Sequence, residues 1–318
     1  MKRKRPAERQ VDRKVPRISI GLPVHNGGRL LEQAIRCHLE QDYEDLELII
    51  SDNASTDDTQ DICEEYARRD PRVRYYRNPE NLGMVANFNR VFMLARGEYF
   101  KWAAHDDSCA PNHVSRCVEL LDDTPTAVLC QSQATLVDEE GRVLQALMDR
   151  HDLCSPDPVR RFHHVLWKLK KVYILFGLIR RQQMAATPLL TQNVGSDRVL
   201  LASLSLMGEL RQVPEPLFVL RDTWSARDAW DSATWAPENM GRPTLLYWRM
   251  ANDHAAVVRR SDLSTAQKGL LLADITARYG VWDLPKLAYD LYLGAGEIVY
   301  RRPYKTRAAS GGSWLRRW

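Results

Sequence analysis

At 318 residues, with 45 Lys and Arg against 41 Asp and Glu and 44% apolar content, the chain is long enough for one large or two modest domains around a real core. No apolar run approaches the ~18 residues that cross a bilayer, and the opening MKRKRPAERQVDRK lacks the apolar segment of a secretion signal, so a cytoplasmic, globular protein is expected. The net charge of +4 is uneven: residues 1–17 hold eight Lys and Arg with two acids, residues 301–318 hold six and no acid, and the tails therefore carry +12 and the body −8. An acidic body repels phosphate backbones, which excludes nucleic acid as the main partner. The basic tails, with Trp314 and Trp318 in SWLRRW, suit peripheral contact with an anionic membrane at its inner face, or simply solvated ends.

From Arg17 onward, short apolar runs alternate with longer amphipathic ones. RISIGLP reads as a strand, and RLLEQAIRCHLEQ as a helix with Leu30, Leu31, Ala34, Ile35 and Leu39 at helical spacing. LELIISD is a second strand. STDDT opens the next helix, with Ser55 and Asp58 spaced as a capping box. VRYYRN, MVANFNRVFMLA and EYFKWAA then give strand, helix and strand. Strands separated by helices of this length imply right-handed crossovers and a mostly parallel, Rossmann-like sheet flanked by helices, an α/β fold.

Beyond Pro111, HVSRCVELLDD reads as a helix and AVLCQSQATLVD as a strand, with a hairpin turn near Gly141. PVRRFHHVLWKLKK is a cationic amphipathic helix and VYILFGLI a buried strand. GSDRVLLASLSLMGELRQVPEPLFVLR predicts a helix and two short strands separated by Pro214 and Pro216. A tryptophan-rich loop or lid covers 223–243, and residues 244–300 form a helical extension. The six cysteines contain no C-x-x-C pair and sit among apolar neighbours, which predicts reduced packing residues.

Ligands of parallel sheets gather where strands end, so the polar residues after each strand are the candidates. They are His25 and Asn26, then Asp52 and Asn53, then Asn78 and Asn81, then His105, Asp106 and Asp107. Two adjacent carboxylates at the end of an apolar strand need a cation, a capping role or open water. A nucleotide sugar suits such an edge once Mn2+ or Mg2+ offsets the repulsion between its diphosphate and the acids.

In this order, LPVHN, IISDNASTDDT, NPENLGMVANFN, ARGEYFKWAAHDD and GSDRVLLASLSLMG…VPEPLFVLR resemble the family 2 glycosyltransferases over roughly residues 17–221. That resemblance implies the GT-A fold and inverting transfer of a sugar, from a UDP-linked or other nucleoside-diphosphate donor, to a hydroxyl acceptor: a glycan, a lipid-linked glycan or a small molecule. It implies donor contacts from Pro23, His25, Asn26, Asn81, Gly83 and Asp106, and a base-reading role for Asp52. It also implies metal binding by Asp107 and Asp106, and a general base at Asp197. Two positions depart from the family pattern. Ala104 stands where an acid often precedes the metal pair, which implies weaker metal affinity. Asn87 and Asn89 stand where many relatives carry an Arg, which implies that the metal bears more of the diphosphate charge.

The implied organisation is a basic tail (1–17), a GT-A catalytic domain (18–222), the loop, the extension and a second basic tail (301–318). Within the catalytic domain, a nucleotide-sugar half (18–110) precedes an acceptor half (111–222). Two rivals stand beside it: a sugar-nucleotide nucleotidyltransferase, whose glycine-rich basic loop after the first strand is absent, and a non-catalytic nucleotide-sugar-binding protein.

Overall fold

The computed structural model describes residues 15–147, 153–169, 172–193, 195–222, 245–288 and 291. The loop at 223–243, with Trp224, Trp230 and Trp235, lies outside them, as do residues 1–14 and 301–318. Arg17 belongs to the folded body rather than to a tail: its guanidinium donates to Glu98 Oε2 at 3.0 Å and to Asp122 Oδ1 at 2.6 Å.

The first half runs β1 (Ile18–Val24), α1 (Leu31–Leu39), β2 (Leu46–Asp52), α2 (Thr59–Arg69), β3 (Val73–Arg77), α3 (Met84–Leu94) and β4 (Tyr99–Trp102). These strands pair in parallel in the order β3-β2-β1-β4, as the alternating pattern predicts. The second half departs from a parallel sheet. It contains β5 (Ser108–Cys109), α4 (His113–Asp123), β6 (Ala127–Val137), β7 (Val143–Leu147), α5 (Pro158–Trp167), β8 (Leu178–Arg180), α6 (Arg181–Ala185), α7 (Ser196–Met207) and β9 (Glu209–Arg221). Here β8 runs antiparallel to β4 and β6, β7 folds back on β6, and only β9 lies parallel to β6. A nine-stranded mixed sheet results.

Three local expectations change. Ser55 is not a helix cap, because α2 begins at Thr59 and Ser55 instead takes part in the loop contacts described below. VYILFGLI splits into a 3-10 turn at Tyr173–Phe176 and the three-residue β8. The two short strands around Pro214 and Pro216 are one strand, β9, whose register against β6 shifts after Ser132. Proline has no N–H to give a ladder, and β5 pairs with β9 only at Phe218 and Val219, so the prolines sit where one side of β9 needs no donor.

Each face of the sheet buries its own core. On one, Ile18, Ile20, Leu22 and Leu48 meet α1 and α4 through Leu31, Ile35, Cys117 and Leu121. On the other, Phe100 and Trp102 of β4 cross edge to face at 5.4 Å and meet α3, α5 and α7. Helices α8 (Leu246–Arg260) and α9 (Thr265–Thr276) join this second core through Val258, Leu271 and Ile275. Asp274 fastens α9 to α5, accepting from Trp167 Nε1 at 2.7 Å and lying 2.9 Å from His163 Nδ1. Among the described residues no helix is long and apolar enough to cross a membrane.

Candidate active site

All four parallel strands deliver their last residues to one edge, and register aligns them: Val24 pairs with Asp52, and Asp52 with Arg77. The loops after β1 and β2 are laced together there. Asn26 adopts a left-handed φ of +52°, its N–H donates to Ser55 Oγ at 2.9 Å, and its Oδ1 accepts from the Thr56 N–H at 2.8 Å. The N–H groups of Gly27 and Gly28 donate to Thr59 Oγ1 and Asp57 Oδ2. Pro23 is buried within β1, two residues before the exposed His25.

His25 Nδ1 lies 2.9 Å from the Asn53 carbonyl, which only accepts, so Nδ1 carries the proton. Its Nε2 then accepts from Asn81 Nδ2 at 3.3 Å. Asn53 is the hub behind this ring. It accepts from Asn78 Nδ2 and the Leu82 N–H, both at 2.9 Å, and donates to Asn81 Oδ1 at 2.6 Å. Gly83 follows with φ +81° and ψ 161°, a conformation open essentially only to glycine, and starts α3.

Asp52 is fully enclosed. Oδ1 accepts the Ser55 N–H at 2.8 Å, while Oδ2 accepts Tyr75 Oη at 2.9 Å and Arg77 Nη1 at 2.5 Å. In this arrangement its carboxylate builds the wall of the edge rather than presenting an open acceptor. Asn87, too, turns inward: it is 3% exposed, accepts Ser51 Oγ at 2.7 Å and donates to the Ser51 carbonyl. Asn89 exchanges both of its hydrogen bonds with the backbone of Leu190.

Asp106 and Asp107 follow β4 and immediately precede β5. Asp107 is 6% exposed, and its Oδ1 accepts the Arg221 N–H at 2.9 Å. The Arg221 guanidinium engages the carbonyls of Asp106, Asp138 and Glu139, so it braces the loops at the end of β9. Burial, reinforced by the negative charge of Asp106, pushes the Asp107 carboxyl up to about 8. A buried acid in that state takes either a proton or a nearby cation. Two adjacent carboxylates are a hard-oxygen donor set, and a divalent ion bound by one or two of them fits Asp106 and Asp107.

Asp197 lies on the first turn of α7, after the left-handed Gly195. It is not the N-cap. Its Oδ1 accepts the adjacent Arg198 N–H at 2.7 Å, and the Arg198 side chain turns away to the Leu169 carbonyl. Burial raises the Asp197 carboxyl above its ordinary range. Helix α7 joins β9 through Gly208 alone.

Arg77, Tyr75, Ser55, Thr59 and Arg221 escape a reading of strand-end residues. Arg77 was within reach of one, since an Arg closing the strand next to a strand closed by Asp is an ion pair once parallel register is assumed. Arg221 was not, because its partners come from two loops distant in sequence.

A mixed α/β sheet flanked by helices, with an acidic, asparagine-braced rim at the ends of its parallel strands, is an architecture of the GT-A kind. Residues 19–164 match the model for glycosyl transferase family 2, and this region of the chain belongs to that family. An uncharacterised glycosyltransferase of Rickettsia felis is 31% identical over 133 residues, covering 41% of this chain and 21% of its own. A Campylobacter jejuni protein described as GalNAc(5)-diNAcBac-PP-undecaprenol beta-1,3-glucosyltransferase is 29% identical over 130 residues, 41% of each chain. The chain spans only between 21% and 53% of the first relatives it matches. Among solved structures, S. aureus TarS 1-349 in complex with UDP-GlcNAc superposes with a TM-score of 0.64, covering 86% of this chain and 79% of TarS at 15% identity. The mannosyltransferase PcManGT of Pyrobaculum calidifontis, in complex with GDP-Man and Mn2+, reaches 0.52 at 21% identity, covering 89% and 76%. These two likenesses concern the fold.

Proposed function

We propose that the chain is a metal-dependent, inverting glycosyltransferase that moves a sugar from a UDP-linked donor to a hydroxyl of a glycan or lipid-linked glycan. The observation that carries this reading is the buried Asp107 beside Asp106 at the end of β4, a pair whose mutual repulsion and burial a bound cation would offset. The TarS complex with UDP-GlcNAc and the PcManGT complex with GDP-Man and Mn2+ support the donor class and the metal. The undecaprenol-linked substrate in the name of the Campylobacter relative supports a lipid-linked acceptor, reached by a cytoplasmic enzyme lying at the inner membrane face.

The base and ribose lie against Pro23, His25 and Asn26, with Asn81 and Gly83 shaping the far wall. Asp52 holds that wall through Arg77 and Ser55 and meets the base itself only if those partners shift. Asp106 and Asp107 would hold Mn2+ or Mg2+, which when bound would offset the diphosphate charge and stabilise the leaving nucleoside diphosphate. Asp197 takes the proton of the acceptor hydroxyl on the side opposite the leaving group.

A thermal-shift screen of nucleotide sugars with and without Mn2+ tests donor and metal together, since a ligand of the folded state alone raises stability. UDP-sugar stabilisation that requires Mn2+ is the expected result. Asp107→Asn should keep the fold and lose transfer by about three orders of magnitude, the equivalent of several kcal/mol of lost charge stabilisation. Wild-type transfer by that variant at saturating donor and metal overturns the mechanism.

A further inference from the structure

A second donor set, soft rather than hard, lies behind the acidic loop. Cys37 and His38 are neighbours in the last turn of α1, and Cys109 ends β5. The fold brings the three together: Cys109 Sγ stands 3.9 Å from Cys37 Sγ and 3.5 Å from His38 Nδ1. Among the described residues, these are the one group of three His, Cys or carboxylate side chains whose ligand atoms all lie within 4.8 Å of one another. No disulfide joins them.

The spacings have a simple meaning. With Zn–S near 2.3 Å and Zn–N near 2.0–2.1 Å, a tetrahedral zinc sets its S···S edge at about 3.8 Å and its S···N edge at about 3.5 Å. The two edges at Cys109 already have those lengths, and the third, between Cys37 and His38, lies within 4.8 Å. We propose that Cys37, His38 and Cys109 form a zinc site that ties α1 to β5, with water or an outside ligand in the fourth position.

Charge agrees with this. Zn2+ replaces the protons of both thiols, releasing two H+, and the resulting centre of one dication, two thiolates and a neutral imidazole has no net charge to bury. A hard ion prefers the carboxylates of Asp106 and Asp107, whereas thiolates select zinc, so the two sites sort their metals by chemistry. Gln41 supplies the outer support. Its Nε2 donates to Cys109 Sγ at 3.4 Å and to the carbonyls of Cys37 and Ala110 at 2.8 and 2.9 Å, so it spans both elements that the ion joins. Cys37 is the half-buried member and opens the site to solvent. Since β5 starts one residue after Asp107, the ion holds the acidic loop from behind without touching the donor.

The test uses the full chain purified under reducing conditions and freed of metal by chelation. Zinc titration should end at one tightly held equivalent, release two protons and raise the melting temperature. Cobalt should give the thiolate-to-metal charge-transfer band and strong visible bands of a tetrahedral site. Asp107→Asn should retain all of these signals, which separates the site from the one that serves the donor. Cys37→Ser, at the less buried position, and Cys109→Ser should each lose the equivalent and the cobalt spectrum. Weak zinc uptake by the wild type, a cobalt spectrum without thiolate bands, or full zinc binding by both serine variants overturns the proposal. So does a Cys37–Cys109 disulfide that forms in the presence of stoichiometric zinc.

Discussion

Asp197 carries the acid-base part of the proposed reaction, and its surroundings make it a stronger base than an ordinary aspartate. Burial raises its carboxyl above the usual aspartate range, while the Arg198 N–H and the helix N terminus keep the charged form within reach. The base must be deprotonated, so the rate should fall as pH drops through that raised value. The acid limb of kcat/KM should therefore lie above the ordinary aspartate range. Asp197→Asn should remove the limb and cost about 10²–10⁴-fold in kcat while leaving UDP-sugar binding intact. A variant that loses donor binding as well would assign Asp197 to structure. At this scale the chemistry of single residues was legible in the sequence: the carboxylates at 52, 106, 107 and 197 stand out by type and by place after a strand or at a helix start. Their partners were less so. VRYYRN offers Arg77 as an ion-pair partner of Asp52 once parallel register is assumed, but does not announce that Asp52 would be enclosed as a result.

At the scale of elements, the rim depends on backbone shapes that few residues adopt. Gly83 combines φ +81° with ψ 161°, and its carbonyl and N–H are both gripped by the Asn53 and Asn81 side chains. Gly83→Ala forces a Cβ into that conformation and should destabilise the fold by about 1–3 kcal/mol, read as a lower denaturant midpoint, and weaken donor binding through the shifted start of α3. An unchanged midpoint would show that the turn relaxes freely. Apolar periodicity placed α1, α3, α4, α5 and α7 and strands β1 to β4 because each buries one face or is buried whole. It failed at β8 and β9 for an identifiable reason. β9 survives two prolines only because the element next to it stops short, and the run VYILFGLI is divided by a 3-10 turn whose burial is as complete as a strand's.

Over the whole molecule, the two cores each enclose a histidine that must stay neutral. His113 donates from Nε2 to Gln131 Oε1 at 2.6 Å and leaves Nδ1 without a partner. His254 donates from Nδ1 to the Met250 carbonyl at 2.8 Å and leaves Nε2 without one. Protonation would bury a charge and a new unpaired donor, and burial accordingly lowers these groups to about 3 and about 4. The unfolded chain takes up those protons near the ordinary histidine value of about 6.5, so below it the unfolded state binds more protons than the native one. The histidines therefore contribute stability that is lost as pH falls from about 6.5 toward about 4, whereas Asp107, held at about 8 in the native state, contributes stability that is lost as pH rises from the ordinary aspartate range through about 8. Melting temperature against pH in Asp107→Asn, where the second contribution is gone, checks the histidines, and a flat profile over the histidine range in that variant would mean that both rings find partners on protonation. His254 also shows why the extension is part of the body: α8 carries it into the core shared with Phe162 of α5 and Tyr279, 6.1 and 5.8 Å away between ring centres.

By itself the sequence determined the alternation of strands and helices and the edge where the ends of the parallel strands bring their polar residues together, because periodicity and residue type are local properties. Only the tertiary structure decided the mixed second half of the sheet, the enclosure of Asp52 by Arg77 and the bracing of the acidic loop by Arg221. It alone also brought Cys37 and His38 against Cys109. Each of those depends on elements far apart along the chain meeting at packing distance, and the distance between side chains is set by the fold rather than by their spacing in sequence.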